Sequence, residues 1–422
     1  MAVVKDDGAK IKGFIAAWLG WAFDGLDGYL YAMVALPFVT ELVGGKVQDA
    51  KEPAAWIQGA FLFGWAIGGA VFGRIGDRIG RSRTLNITIL VFAVFTGLSA
   101  TATSWPMLMC FRFISALGIG GEWAAGSALV SETMDVRHRP FASATLQTGF
   151  QSGMIGAALT VGLFAHLDPR YVFLVGVIPA FLTLWIRFAV PEPAEWKAER
   201  AQKELPKISD LFAPGMIKIT LLTLALTSIA LTTVWGFLFF NSQVLQAIPA
   251  VKALAKPDQA ALLRNVTIEF CFANILGNYC AAFMARFIGC KKAFAVYMAA
   301  SAAVFLIGFR QPFTLTSARL WFDLYMFFGS SIFGIFPLYV PLLFPTLLRT
   351  TGAGFCYNFG RMVAGIGTLA GGWITAKAGG PSLAIWYLGF LYIPGILVSL
   401  AMPEVAFSEK AKPIAITTDP AG

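Results

Sequence analysis

The chain has 422 residues, of which 57% are hydrophobic and only 13% charged, and its formal net charge is +9. Soluble domains carry roughly a quarter charged residues, so a water-facing shell is excluded. Apolar runs of about 20 residues recur from end to end, long enough to cross a bilayer, without the strict alternation of a membrane β-barrel, which leaves an all-α integral membrane protein.

The first twelve residues are polar and lead straight into an apolar helix without a small-residue cleavage site, so no removable signal peptide is read. Spanning helices are predicted near 14–40, 56–75, 84–103, 106–130, 141–166 and 170–190, and then near 215–247, 263–287, 293–310, 316–346, 352–378 and 382–402. Between the two groups lies a charged, proline-flanked stretch, PEPAEWKAERAQKELPKISD at 191–210. The predicted organisation is a six-helix bundle over 1–190, a linker over 191–214, a second bundle over 215–402 and a tail over 403–422. A spacer between two such halves is the layout of parallel-repeat transporters. GDRIGRSRTL (76–85) aligns with ARFIGCKKAF (285–294), pairing Gly80 with Gly289 and Arg83 with Lys292; a similar offset sets Gln151 opposite Arg361.

Most of the 32 Lys and Arg fall in segments that share a side with both termini and the linker, and the positive-inside rule puts that side in the cytoplasm. The expected location is therefore the cell inner membrane, multi-pass, with both termini cytoplasmic. This placement accounts for the basic charge without nucleic acid. The five cysteines are scattered and the two histidines lie far apart, so neither a disulfide framework nor a metal site is read.

Taken in chain order, the first chemical signal is Asp24 and Asp27, three apart on one face of the first helix and near mid-membrane. Carboxylates there cost several kcal/mol unless protonated, paired or facing water, so the pair are candidate proton carriers; bracing a kink beside Gly25 and Gly28 is the plainer role. Next comes GRIGDRIGRSR (73–83), between helices two and three. Gly73, Gly76 and Gly80 permit a tight turn, Asp77 can accept from a helix N-terminus and from arginines, and Arg78, Arg81 and Arg83 stay on the cytoplasmic side. Such a turn can act as a charge lock between halves, made in one state and broken in the other. Arg112, inside the fourth helix, needs a partner, and Asp27 or Asp24 is at a suitable depth. Protonation of that aspartate would free Arg112 for a substrate carboxylate; a permanent ion pair is the alternative. Glu122 is either a second proton site or a bracket to a neighbouring helix, and Glu132 is expected in the lock with Arg137 or Arg139. Gly118, Gly120 and Gly121 read as close helix packing, because no Lys-Ser/Thr follows as in a phosphate loop.

In the second half Arg361 is the sharpest candidate. Asn358 and Tyr357 precede it by one turn on the same face, which suits a two-point grip on a carboxylate; snorkelling to the interface is the alternative. Gln151 and Gln147, Asn241 and Gln243, and Asn274 and Asn278 are either cavity donors or helix–helix glue. Glu269 and Asp323 are either gate residues or simply wet. Most of the 38 Phe and 12 Trp are expected to face lipid or interfaces, with Tyr29, Tyr31, Trp235 and Tyr279 as candidate cavity walls.

The 73–83 stretch resembles the G-x-L-x-D-R-x-G-R-[RK] loop of the major facilitator superfamily, with Ser82 in place of the usual second basic residue and Gly76 in place of the usual small residue. RFISALGIGGEWAAGSALVSE (112–132) is similar to the fourth-helix region of that superfamily's proton-coupled organic-acid symporters. DGLDG (24–28) resembles the first-helix element of its aromatic-acid and sialate/lactate-type branches, and FPTLLRTTGAGFCYNFGR (344–361) resembles their helix-ten to helix-eleven segment. The resemblance implies twelve transmembrane helices in two pseudo-symmetric six-helix bundles, and a functionally sensitive arginine at position 112.

The expected function is secondary active transport by alternating access: proton-coupled uptake of a small organic anion, a monocarboxylate or an aromatic acid. Proton coupling falls to Asp24, Asp27 and Glu122. The substrate falls to Arg112, Arg361, Asn358, Tyr357, Gln151, Asn241, Asn274 and Asn278. Gating falls to Gly73, Asp77, Arg78, Gly80, Arg81, Glu132 and Arg137. A proton antiporter exporting drugs or metabolites is the alternative, and a non-transporting sensor a further one. No nucleotide-binding loop or catalytic constellation is read, so no enzyme activity and no cofactor are expected beyond the proton gradient as driving force. The expected partners are a small organic acid, protons and the lipid bilayer, with the monomer as the working unit.

Overall fold

A computed structural model of the chain describes residues 7–163, 169–179, 181–182, 185, 190–369 and 379–405. The first half comprises α1 (Asp7–Leu42), α2 (Val47–Ile79), α3 (Arg81–Ser99), α4 (Trp105–Thr133), α5 (Arg139–Leu163) and α6 (Pro169–Val172), which runs on as a 3-10 turn at Phe173–Val177. A helix in the linker, α7 (Ala194–Gln202), follows. The second half comprises α8 (Ile217–Ala247), α9 (Lys256–Ile288), α10 (Cys290–Gly308), α11 (Leu315–Phe328), α12 (Arg349–Leu369), α13 (Pro381–Leu388) and α14 (Tyr392–Ala401). Eight stretches of the described residues are long and apolar enough to cross a bilayer, and with α1, α5, α6 and α12 they form an all-α, multi-pass, two-bundle membrane fold. The expected helix ends at 164–166 and 370–378, parts of the sixth helix, and the tail beyond 405 lie outside the described residues.

The bundles repeat one local device. The α2–α3 turn is made at Gly80 (φ 113°) and the α9–α10 turn at Gly289 (φ 86°), both in the region that favours glycine. In each half a glutamate from the end of that bundle caps the helix that follows. Glu192 accepts from the backbone N–H of Ser82 (3.2 Å) and Arg83 (2.9 Å), and Glu404 accepts from that of Cys290 (3.0 Å). The carboxylates thereby satisfy donors that a helix N-terminus leaves free. The glycines of α4 lie against neighbouring backbone: Gly118 against Thr88 and Phe92, and Gly120 against Trp65 and Gly69.

One expectation is corrected. The predicted helix at 316–346 is broken. α11 stops at Phe328, and the chain continues through 3-10 turns at Ser330–Gly334 and Pro341–Leu343 with a short helix Phe336–Tyr339 between them. Pro337, Pro341 and Pro345 each remove a backbone N–H from this run, which disfavours one regular helix through it. Within the linker, α7 forms a short helix that buries Trp196.

Candidate functional site

Between the halves lies a cavity lined by α1 and α5 on one side and by α8, α12 and the turn after α11 on the other. Its walls are aromatic and apolar: Trp21, Phe150, Met154, Trp235, Phe333 and Tyr357. Gln147, Gln151, Ser330 and Arg361 break that lining. The glutamines sit one turn apart on α5, and the carbonyl oxygen of each is buried without a protein partner. Among the aromatic candidates only Trp235 lines the cavity; Tyr31 packs on Arg112, Tyr29 bonds to Thr267, and Tyr279 bonds to Thr145.

Arg361 is held from three directions. Its Nη1 donates to Asn358 Oδ1 (2.7 Å), and its guanidinium lies 3.7 Å from the ring centre of Trp65 and 5.0 Å from that of Tyr357. Asn358 is itself anchored, donating to Gly120 O (3.1 Å) on α4 and to Gly354 O (3.0 Å). Tyr357 stacks on Trp123 with ring centres 3.8 Å apart. Arg361 Nε has no protein partner. The cavity wall thus carries a buried, aromatic-braced guanidinium, a group whose planar fork matches a carboxylate.

Arg112 is paired with Asp27, one of its two expected partners. It is fully buried and donates from Nη1 and Nη2 to the two oxygens of Asp27 (2.9 and 2.8 Å), while Thr96 Oγ1 donates to Asp27 Oδ1 (3.0 Å). The rings of Tyr31 and Phe61 close over the guanidinium at 4.8 and 4.6 Å. Arg112 is not among the residues that line the cavity, and Asp27 occupies both ends of its fork. Asp24 and Glu122 are not among the cavity-lining residues; they are 0% and 1% exposed, and none of their four carboxyl oxygens has a conventional donor.

The candidate amides separate. Asn241 donates to Phe237 O and Leu238 O of its own helix, and Asn274 ties α9 to Met326 O and Ser331 Oγ. Asn278 is buried with both amide atoms unpartnered, but it does not line the cavity. Gln243 is spent on Phe239 O. On the far side Glu269 is paired with Arg319, near Asp323.

On the side of the linker the halves are locked together. Asp77 accepts from the backbone N–H of Thr350 (3.2 Å) and Thr351 (2.8 Å) and from Thr351 Oγ1 (2.6 Å), at the start of α12. Arg81 holds Glu132 (2.8 Å) and Asp77 (3.2 Å) and reaches Thr346 O (2.6 Å) in the other half. Arg349 spans the interface to Glu132 (3.1 Å) and to Glu195 of α7 (3.0 Å). Gly73 packs closely against Thr350 and Thr351. Arg78 and Arg137 are exposed and make no contact in this cluster; the cation expected at Arg137 is supplied by Arg349. Below the cavity, Ser143 donates to Gly334 O (2.7 Å) and Thr145 bonds Tyr279 (3.0 Å), again across the halves.

Twelve helices in two bundles, a central cavity between them and a lock on one face define a membrane transporter rather than an enzyme. The family model described as Major Facilitator Superfamily matches residues 14–256, and the chain belongs to that superfamily. It is 29% identical over 400 residues to the sialic acid transporter NanX of Escherichia coli, covering 94% of this chain and 91% of NanX. It is 28% identical over 404 residues to the cis,cis-muconate transport protein of Acinetobacter baylyi, covering 93% and 94%. Among solved structures, the proton:xylose symporter XylE superposes with a TM-score of 0.79 at 17% identity, over 95% of this chain and 97% of XylE, a likeness of fold.

Proposed function

We propose that the protein is a proton-coupled symporter that takes up a small organic anion, a monocarboxylate or aromatic acid, by alternating access. The observation that carries this is Arg361: a cation fixed on the cavity wall, opposite two glutamine carbonyls and flanked by Trp21, Trp235 and Phe333. The guanidinium takes the carboxylate, the glutamines orient polar substituents, and the aromatic rings take a flat or apolar body. Names of relatives point the same way, since both sialic acid and muconate are carboxylates. The linker-side lock closes one exit. Its opening, as residues 1–190 rock against 215–402, would expose the cavity to that side. The excess of Lys and Arg on the linker side supports a cytoplasmic lock, with both termini on that side of the inner membrane.

The test is uptake into proteoliposomes of labelled N-acetylneuraminate, cis,cis-muconate and benzoate, with the outside acidified. Accumulation of at least one acid above its equilibrium level is expected. No accumulation, or gradient-driven efflux in its place, would overturn the symport reading, and efflux would establish the antiport alternative.

A further inference from the structure

Asp24 and Glu122 form a pair that neither the lock nor the cavity explains. Asp24 belongs to α1 and Glu122 to α4, and their carboxyl groups are within hydrogen-bonding reach of each other. The glycine at position 20 makes room for the contact. One turn before Asp24, a Cβ on Gly20 would fall on the Glu122 carboxyl, so the missing side chain admits Glu122 to the α1 surface. Both groups are buried and none of their four oxygens receives a hydrogen bond from another side chain or from the backbone. Two carboxylates facing each other away from water repel strongly and have no donors, whereas one proton placed between them supplies the missing hydrogen bond. The charged groups facing Asp24 are Glu122 from α4, Asp27 from its own helix and Arg361 from α12. Asp27 is consumed by Arg112. Arg361 is thus the free cation opposed to the pair, and it is the same side chain that lines the cavity.

We propose that Asp24 and Glu122 share one proton at rest and carry the transported proton as a unit, with Arg361 linking their charge to that of the substrate. This rests on the symport reading given above. With one proton the pair bears a single negative charge that balances Arg361. When the carboxylate of a substrate takes Arg361, that balance is lost, and the pair accepts a second proton from the far side by forming an O–H bond on the remaining carboxylate oxygen. On release at the other face the substrate anion leaves, Arg361 again faces the pair, and the O–H bond breaks with its proton passing to water. No bond of the substrate changes. The balance is one proton per monocarboxylate, an electroneutral cycle, while Asp27–Arg112 remains a standing ion pair.

Two measurements test this. Infrared spectra of the purified protein at neutral pH should contain a protonated-carboxyl C=O band that is lost or shifted in Asp24→Asn, in Glu122→Gln and in Gly20→Ala, and kept in Asp27→Asn. The band needs no substrate, so it is readable whatever acid is carried; if Asp27→Asn does not fold, the other three variants decide. In proteoliposomes, using the acid of the panel above that the wild type accumulates most, Glu122→Gln and Asp24→Asn should lose gradient-driven accumulation at least tenfold while exchange of labelled for unlabelled acid stays measurable. An imposed membrane potential should not drive monocarboxylate uptake by the wild type. An unchanged carboxyl band in both Asp24→Asn and Glu122→Gln would overturn the shared proton. Wild-type accumulation retained by both variants would overturn its coupling role and leave symport standing, whereas a wild type that accumulates no acid would remove the symport reading while the infrared result still stands.

Discussion

The indole N–H of Trp196 donates to the backbone carbonyl of Asp77 over 3.0 Å, so the segment joining the two bundles is fastened to the turn that locks them. The neighbouring residues extend the strap: Glu195 accepts from Arg349 and Thr346 Oγ1 in the second half, and Glu192 caps α3 in the first. The closed lock is therefore a three-body contact of first half, linker helix and second half.

Trp196 is largely buried, and truncating a buried tryptophan removes both apolar area and the partner of the Asp77 carbonyl. Trp196→Ala is expected to destabilise the closed form by about 3–5 kcal/mol. Melting followed with a thiol-reactive dye at the buried Cys271, Cys290 and Cys356 reads this directly. The exposed neighbour Lys197, changed to Ala, should melt as the wild type does.

Asp77 satisfies two backbone donors and one hydroxyl of the opposite half. Asp77→Asn leaves part of that set unpaired, worth about 1–3 kcal/mol, or a tenfold population shift for each 1.4 kcal/mol. The expected outcome is opening on the linker side. In a Ser143→Cys background, where position 143 lies buried at the interface below the cavity, maleimide labelling should rise about tenfold or more on adding Asp77→Asn.

Asp27 and Arg112 are a sealed ion pair, and removing one member leaves a buried, uncompensated charge. Either Asp27→Asn or Arg112→Leu alone is expected to cost about 3–5 kcal/mol. The double variant Asp27→Leu, Arg112→Met should recover much of that loss, because both charges are gone. Melting temperatures of the three purified proteins in detergent decide it, and equal or additive losses would show the pair to be uncoupled.

Gln151 presents an unpartnered carbonyl to the cavity, so it favours substrates with hydroxyl or N–H groups. Gln151→Leu should raise the KM for a hydroxylated acid such as N-acetylneuraminate by about 3–10-fold, the worth of one hydrogen bond of about 0.5–1.5 kcal/mol. Benzoate, which has neither group, should be taken up nearly as before.

Much of the fold could be read from the sequence because bilayer burial writes it into composition. Long apolar runs, a charged spacer and lopsided Lys and Arg leave little freedom, and the Gly80 and Gly289 turns are visible as an internal match. Side-chain direction is what the one-dimensional pattern does not contain. Arg112 and Arg361 look alike as lone arginines in helices, yet one faces Asp27 and an aromatic box while the other faces the cavity. Asn241 and Asn358 are equally polar, and only Asn358 orients Arg361. The role of Glu192 had a faint signal in the matching Val190-Pro191-Glu192 and Met402-Pro403-Glu404 runs at the two bundle ends. Arg349 and Glu195 had none, since their partners come from other segments of the chain.

The most direct measurement compares wild type with Arg361→Gln in the same proteoliposomes, recording labelled-acid accumulation as the outside is acidified. Removing a charge-assisted contact worth about 1.5–3 kcal/mol should lower accumulation at limiting acid concentration by tenfold or more, with the wild type well above equilibrium. Accumulation by Arg361→Gln equal to that of the wild type, at an unchanged KM, would contradict an arginine-anchored anion path through this cavity.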